Sequence, residues 1–252
     1  TMAAWQWKAG TSFTNDASST SVGDIDSSGS VNTDAGFSII KATSDGAANK
    51  DIAHGLGAVP DVIFAKNLVR QYSWDCYFKT LGYNASLRLD NAAFARTGAW
   101  GSNTFTTTTF ETQEDYSSKD GEAYIYYCFA QKQGFSKFGK YTANATDVDG
   151  NFIFTGFKPA FILIKSSNQP QDGQSWFIYD SSRDPGNTAT QTIQANVNTG
   201  EQTNVAPIDI LSNGFKLRTN TGRINGTNGI YVYMAFAENP FVTSTGVPAT
   251  AR

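Results

Sequence analysis

The chain has 252 residues, of which 40% are hydrophobic, 13% aromatic and only 16% charged. So little charge, with so many aromatic residues, excludes a disordered chain kept in solution by charge repulsion. The net charge of -3 offers no basic field to a nucleic-acid backbone, and no apolar run approaches the roughly 20 residues that span a bilayer, so we expect neither nucleic acid nor a membrane as a partner.

Short aromatic runs alternate along the chain with stretches of Thr, Ser, Asn and Gly. This pattern is typical of many short strands joined by polar turns. No long window keeps a helical period, and even residues 86–96 suit a strand and a turn equally well. We therefore predict an all-β protein with little helix.

Residues 1–35 differ in character from the rest of the chain. Ala4-Trp5-Gln6-Trp7-Lys8 predicts a strand, and residues 9–35 form a Ser/Thr/Asp/Gly-rich arm with little to bury. The first residues lack the charged leader and long apolar stretch of a signal peptide. Two interpretations of the strand stay open: it adds to the first sandwich, or it closes an earlier module of a longer polypeptide.

An internal repeat follows this segment. Four stretches recur further along the chain, namely residues 36–38 as 134–136, 57–66 as 156–165, 74–77 as 176–179, and 124–131 as 231–238. A module of this length, with strands at this spacing, is the size of one β-sandwich. We therefore predict two tandem, jelly-roll-like β-sandwich modules over residues 36–133 and 134–252, with the boundary between Gln131 and Lys140.

Within each copy, a Gly-x-x-Pro sequence precedes an apolar run that ends in lysine. Proline has a fixed φ and no N–H, so it belongs at the entry of a strand. The runs 62–65 and 161–164 are apolar on both faces, as are 124–130 and 231–237. The latter two belong at the middle of a sandwich or on a face that a neighbouring subunit buries. The predicted core contains Phe64, Tyr126, Phe129, Ile162, Ile164, Tyr233 and Phe236, and Trp74 and Trp176 fill equivalent core positions. Lys66 and Lys165 are expected to reach solvent.

Side chains that carry catalysis are scarce. His54 is the only histidine; the second copy lacks it, and we predict a turn residue whose ring bonds nearby backbone. Four acids in the first copy (Asp75, Glu111, Glu114 and Asp115) could serve glycoside hydrolysis, yet the second copy has Phe177 in place of Asp75. Phosphate-loop, Cys-x-x-Cys and Gly-x-Ser-x-Gly motifs are absent from the sequence. We expect no catalytic residues, no cofactor and no enzymatic activity.

Three further features have simple structural interpretations. Asp147-Val148-Asp149-Gly150 resembles the opening of a calcium loop but lacks the closing bidentate acid, so we predict a hairpin turn and no metal, with calcium binding by Asp147 and Asp149 left open. Cys76 and Cys128 are predicted to be buried free thiols. Trp100, in a Gly/Ala/Ser-rich loop, could stack on a sugar, but the ligand-binding residues stay unknown from the sequence.

Taken together, five stretches resemble a repeat domain of unassigned function that occurs in tail-fibre-like and structural proteins of tailed bacteriophages, especially those of cyanobacteria and other aquatic bacteria. The stretches are residues 54–66, 124–130, 134–142, 156–161 and 211–218, and the terminal residues 239–252 resemble the end of such proteins. The resemblance covers nearly the whole chain. It implies a non-enzymatic virion component, assembled in the host bacterial cytoplasm, and it brings no catalytic residues.

From this resemblance we expect a tail-fibre or receptor-binding appendage that contacts other virion proteins and the host surface, where glycans are candidate ligands. Such a protein would be a homo-oligomer, with a trimer favoured. No coiled-coil heptad appears, so the chain would form a head or tip rather than a shaft. The alternative is a decoration protein that cements the major capsid lattice. A carbohydrate-active enzyme would require acids spaced across a groove.

Overall fold

The computed structural model describes residues 3–93, 95–98, 100–101, 105–113, 117–168 and 175–239. These residues form eighteen strands, one four-residue helix and one short 3-10 turn. The predicted all-β class is confirmed. Within the same ranges, no helix combines the length and the apolarity that a membrane crossing needs.

The chain divides into two compact units. Unit 1 comprises Thr1–Ser86 and Arg96–Ala130, and unit 2 comprises Leu87–Ala95 and Gln131–Arg252. The first ten strands are β1 (Thr11–Asn15), β2 (Ser27–Asn32), β3 (Phe37–Thr43), β4 (Lys50–Ala53), β5 (Val62–Asn67), β6 (Asp75–Phe78), β7 (Ala85–Arg88), β8 (Arg96–Thr97), β9 (Thr109–Thr112) and β10 (Ala123–Phe129), with helix α1 at Ala17–Thr20 and the 3-10 turn at Lys79–Leu81. The other eight are β11 (Ser136–Thr142), β12 (Phe152–Phe154), β13 (Pro159–Ser166), β14 (Trp176–Asp180), β15 (Ala189–Gln194), β16 (Gln202–Leu211), β17 (Gly214–Leu217) and β18 (Ile230–Ala237).

Unit 1 is a β-sandwich with two unequal layers. Its large sheet has the strand order β1-β2-β3-β10-β5-β6-β7-β8, and β4 pairs with β9 in a separate two-stranded sheet. Ile52 of β4 and Phe110 of β9 pack in one buried cluster with Ile40, Ile63 and Tyr126 of the large sheet. The core therefore lies between the two sheets.

Unit 2 is built from a sheet with the strand order β11-β18-β13-β14-β15-β16-β17-β12. Its buried cluster draws on both halves of this order, with Ile162 and Tyr231 from one half and Ile153, Ile208 and Phe215 from the other. The sheet must curl so that its halves face each other, because side chains from both meet in one core.

The two units share the arrangement of four neighbouring strands. In unit 1 the order is β3-β10-β5-β6, in unit 2 it is β11-β18-β13-β14, and the strand pairs within both sets are antiparallel. The register corresponds as well, since Ile63 lies opposite Tyr77 and Ile162 lies opposite Tyr179. The side chains at the strand ends also correspond: Lys66 Nζ lies 6.0 Å from the centroid of the Trp74 ring, and Lys165 Nζ lies 6.0 Å from that of Trp176.

The N-terminal segment differs from the prediction. Residues 3–10 form no strand, so the predicted strand at residues 4–8 is wrong. Trp7 instead packs edge-on against Phe129, and the amide of Asn32 donates to Lys8 O in place of a backbone ladder. The expected polar arm is also wrong, because residues 9–35 supply two strands of the large sheet and place Ile25 in the core.

Most of the predicted core is buried. Of the seven predicted side chains, Phe64 alone is half-buried, and the other six are buried. Cys76 and Cys128 are buried free thiols, as predicted. Trp176 is fully buried, whereas Trp74 is only half-buried.

Lys165 does not reach solvent, contrary to the expectation. Its side chain is fully buried, and Lys165 Nζ donates to Ala92 O at 3.0 Å. Lys66 is half-buried and donates to Tyr72 O. A buried ammonium requires hydrogen-bond acceptors, and this one finds a carbonyl in the segment Leu87–Ala95 of the same unit.

Candidate binding site

An open pocket in unit 1 lies where the 3-10 turn Lys79–Leu81 leads into β7. Its volume is about 590 Å³. The described residues that line it are Leu81, Gly82, Tyr83, Asn84, Gly98, Gly101 and Gln113. Pockets of this size are typical of small-molecule sites.

The aromatic wall of the pocket is the ring of Tyr83. This half-buried ring stacks on Tyr77, with centroids 5.7 Å apart and planes 12° from parallel, and packs against Phe105 at 4.9 Å. Tyr77 in turn contacts Trp100 edge-on. Because Tyr77, Trp100 and Phe105 are buried, Tyr83 is the outer face of a packed aromatic cluster and its orientation is fixed.

Two amide side chains contribute polar groups to the pocket. Asn84 Oδ1 accepts a hydrogen bond from the backbone N–H of Gly98 at 2.7 Å, which orients the Asn84 amide. Backbone groups of Gln113 bond the hydroxyl of Ser117. Within the part of the chain that the structure describes, neither Asn84 Nδ2 nor the Gln113 side-chain amide has a hydrogen-bond partner.

Three glycines line the pocket and place no side chain there. Gly82 and Gly98 have φ of 86° and 76°, and a Cβ at either position would meet no atom within 4 Å. At Gly101 a Cβ would lie 1.8 Å from Glu111 Oε1, so this backbone packs directly on the buried Glu111 carboxylate. Backbone groups can therefore approach a ligand closely where a side chain would block it.

The seven described lining residues carry no charged side chain. The pocket thus offers a ring face, amide groups and peptide backbone. This donor set suits an uncharged polar ligand, whereas an anion would need basic partners and a metal ion would need carboxylates or imidazoles.

A family model, described as "Domain of unknown function (DUF7483)", matches residues 1–240. The chain belongs to this family. The match spans strands of both units. No curated protein and no solved structure matches the chain. The family description assigns no function to DUF7483.

His54 of this DUF7483 chain is a structural residue, as predicted from its sequence context. The side chain is fully buried, Nδ1 accepts from the N–H of Leu56 at 3.1 Å, and Nε2 lies 3.3 Å from Thr106 O. Burial lowers the pKa of His54 to about 4, against a smaller opposing effect of the Thr106 carbonyl. The imidazole is therefore neutral at physiological pH and does not line the pocket.

Neither Asp75 nor Glu111 is among the described residues that line the pocket. Asp75 is buried in an ion pair with Arg96, and Glu111 lies beneath Gly101. Glu114 and Asp115 lie outside the described residues. Asp51, which the sequence analysis did not single out, lies opposite Glu111 on β4 and β9, and burial, with Asp24 and Glu111 beside it, raises its pKa.

Trp100 cannot stack on a sugar, because its side chain is fully buried. Tyr83 occupies the accessible position instead. The sequence analysis missed Tyr83, Asn84 and Gln113. The signal that could have found the first two is Gly82-Tyr83-Asn84, an aromatic residue between turn residues after a predicted strand.

The sequence Asp147-Val148-Asp149-Gly150 forms no hairpin, so that prediction is wrong. The strands on either side, β11 and β12, lie at opposite ends of the sheet order in unit 2. Lys216 binds the Asp149 carboxylate and holds its pKa below the ordinary value. The buried amide of Asn225 donates to Thr146 O and Thr219 O, which organises this connection. No cluster of three potential metal ligands occurs among the described residues.

Proposed function

We propose that the chain is a non-enzymatic attachment component of a tailed-phage virion, of the tail-fibre or receptor-binding kind, and that it binds the host surface through the pocket beside Tyr83. The resemblance of five sequence stretches to phage structural proteins supports a role as a virion component. The observation that carries the binding role is the Tyr83 ring, held by Tyr77 and Phe105 at the wall of an open pocket whose described lining residues carry no charge. The described lining residues present recognition groups and include no charged acid or base.

We further propose that the two units are copies of one module. The equivalent order of four neighbouring strands and the equivalent lysine–tryptophan pairs support this duplication. The pocket, however, uses residues between β6 and β10 for which the second copy has a different sequence. One copy thus carries the binding site while the other is free for assembly.

Assembly as a homo-oligomer, with a trimer favoured, completes the proposal. One pocket of this size supports only modest affinity, but several linked copies raise the effective concentration and the avidity. Exposed apolar side chains in unit 2 offer a surface for self-association.

The first test is the binding of the fluorescently labelled chain to intact cells of aquatic bacteria, including cyanobacteria. We expect saturable binding that Tyr83→Ala weakens by about tenfold or more, since a recognition side chain contributes on the order of 1.4 kcal/mol or more. Tyr72→Ala is the matched control, because Tyr72 is an exposed tyrosine of the same unit outside the pocket. Equal loss in both variants, or no binding to any strain, would count against the proposal.

Capsid decoration is the second candidate function. The exposed apolar residues of unit 2 favour it because they suit docking on a capsid lattice. Copy number separates the two roles. Quantitative mass spectrometry of purified virions should give few copies per particle for an appendage and about one chain or one trimer per capsomer for a decoration protein.

A further inference from the structure

We propose that the pocket beside Tyr83 binds a neutral saccharide, with a pyranose ring against Tyr83 and sugar hydroxyls bonded by Asn84 and Gln113. The proposal gives the ligand class of the proposed attachment site. It rests on the attachment function only for the source of the saccharide, which is the host surface.

The position of the Tyr83 ring favours a pyranose ring as ligand. One face of a pyranose presents C–H groups and is apolar, so it packs favourably on an aromatic face while its edge stays polar. Tyr83 is already immobilised by the parallel ring of Tyr77 and by Phe105. Little side-chain freedom remains to be lost on binding, which favours a shallow site for a weakly apolar ligand.

The two amide side chains of the pocket, those of Asn84 and Gln113, suit sugar hydroxyls. A sugar hydroxyl both donates and accepts hydrogen bonds, and an amide side chain offers both roles. The Oδ1 atom of Asn84 is engaged by the N–H of Gly98, so Asn84 presents its Nδ2 donor. Gln113 can present both its carbonyl and its NH₂ group. The two residues lie on different connections, so they can bond hydroxyls at different positions of a ring.

The described lining residues carry no positive charge. A phosphate, sulfate or uronate group would have to enter without a basic partner, and the buried Glu111 lies against Gly101 on the pocket wall. Desolvating an unpaired anion beside a carboxylate is unfavourable. Acidic saccharides are therefore selected against.

Gly82 and Gly98 leave the pocket open where they line it. Open space surrounds the position of a Cβ at both residues. A saccharide bound at Tyr83 can therefore continue past the pocket on either side, as an internal unit of a polysaccharide must.

Affinity electrophoresis of the full chain tests the proposal. Native gels would contain one of several neutral polysaccharides (dextran, mannan, arabinogalactan or xyloglucan) or an anionic one (alginate or polygalacturonate). We expect at least one neutral polysaccharide to retard the chain and neither anionic one to do so. The apparent dissociation constant should rise about tenfold in Tyr83→Ala and about threefold to tenfold in Gln113→Ala, and stay unchanged in Tyr72→Ala.

Gln113→Ala keeps the test valid if Tyr83→Ala unfolds, because the Gln113 amide bonds no described residue and its loss leaves the fold intact. Retardation by none of the neutral polysaccharides, retardation by the anionic ones, or full retention of binding in both pocket variants would overturn the proposal. Cell binding that depends on Tyr83 without polysaccharide binding would refute the saccharide and keep the attachment function. Polysaccharide binding without binding to any cell would keep the saccharide as ligand and refute the attachment function.

Discussion

His54 is a buried histidine whose two ring nitrogens have different roles. Nδ1 accepts from Leu56 N–H, so the proton is on Nε2, which faces Thr106 O. Protonation of Nδ1 would replace that bond by a repulsive contact inside the core of unit 1. The neutral ring is therefore part of the folded structure, and the unfolded chain is the form that takes up a proton first.

The pH dependence of the free energy of unfolding should show that folding keeps His54 neutral. Because the pKa of His54 falls from 6.5 to about 4 on folding, its neutral form stabilises the fold fully above pH 6.5, and that contribution is lost as the pH decreases towards 4. The loss amounts to about 3 kcal/mol, at 1.36 kcal/mol per pKa unit. His54→Asn keeps an acceptor for Leu56 and removes the titration.

Urea denaturation of both proteins from pH 7 to pH 4 measures the effect. The variant should be less stable than the wild type at pH 7, and the difference should shrink by about 3 kcal/mol towards pH 4. A difference that stays constant across this range would show that His54 does not titrate between the two states.

The segment Leu87–Ala95 is bound to β13, β14 and the residue after β13. Trp176 Nε1 donates to Arg88 O at 2.7 Å, Lys165 Nζ donates to Ala92 O, and the N–H of Ala95 donates to Ser167 O. Two of these bonds come from fully buried side chains. The segment is thus held by specific long-range hydrogen bonds.

Replacing Trp176 should loosen this segment. Trp176→Phe removes the indole N–H and part of the buried ring, which should cost about 1 to 3 kcal/mol and raise amide exchange in residues 88–93. The control is Trp74→Phe, which changes the corresponding tryptophan of unit 1. Hydrogen exchange followed by mass spectrometry should show the rise in the first variant alone; equal exchange of residues 88–93 in both would contradict the assignment.

Elements with local signals were predictable from the sequence. The runs 62–65 and 161–164 lie in β5 and β13 because apolar residues on both faces require cover on both sides. The two strands in residues 9–35 were missed, since their Ser and Gly residues carry little strand signal and their pairing is set by the backbone ladder. The hairpin predicted at Asp149-Gly150 does not form, because the flanking strands β11 and β12 pair with β18 and β17 and not with each other.

The candidate site was beyond prediction for a similar reason. Asn84, Gly98 and Gln113 come from three separate connections, and the fold alone brings them to one pocket. Trp100 looked accessible in its small-residue loop, yet Tyr77 and Phe105 enclose it. Whether an aromatic residue faces solvent depends on neighbours distant in sequence.

At the scale of the whole molecule, the exposed apolar residues of unit 2 bear on assembly. Phe152 and Phe154 of β12 are 46% and 61% exposed, and β12 ends the order of its sheet. Val148, just before this strand, is 71% exposed. Adjacent exposed aromatic residues on an edge strand are typical of a contact surface.

Self-association should therefore depend on β12. Phe154→Ser should reduce the oligomeric mass measured by sedimentation velocity at micromolar concentration, because it removes the most exposed ring of this strand. Val197→Ser, which changes an exposed apolar residue elsewhere in unit 2, should leave the mass unchanged. A wild type that sediments as a monomer, or an unaltered mass for Phe154→Ser, would remove β12 from the assembly.

The assignment of Leu87–Ala95 to unit 2 also bears on how such chains can evolve. A genetic crossover near residue 130 would transfer residues 131–252 without these nine, and the incoming half would have to accept a segment inherited from another parent. Recombination at that junction is therefore penalised unless both parents carry compatible sequences around Arg88 and Ala92. The two halves should descend together as one heritable block.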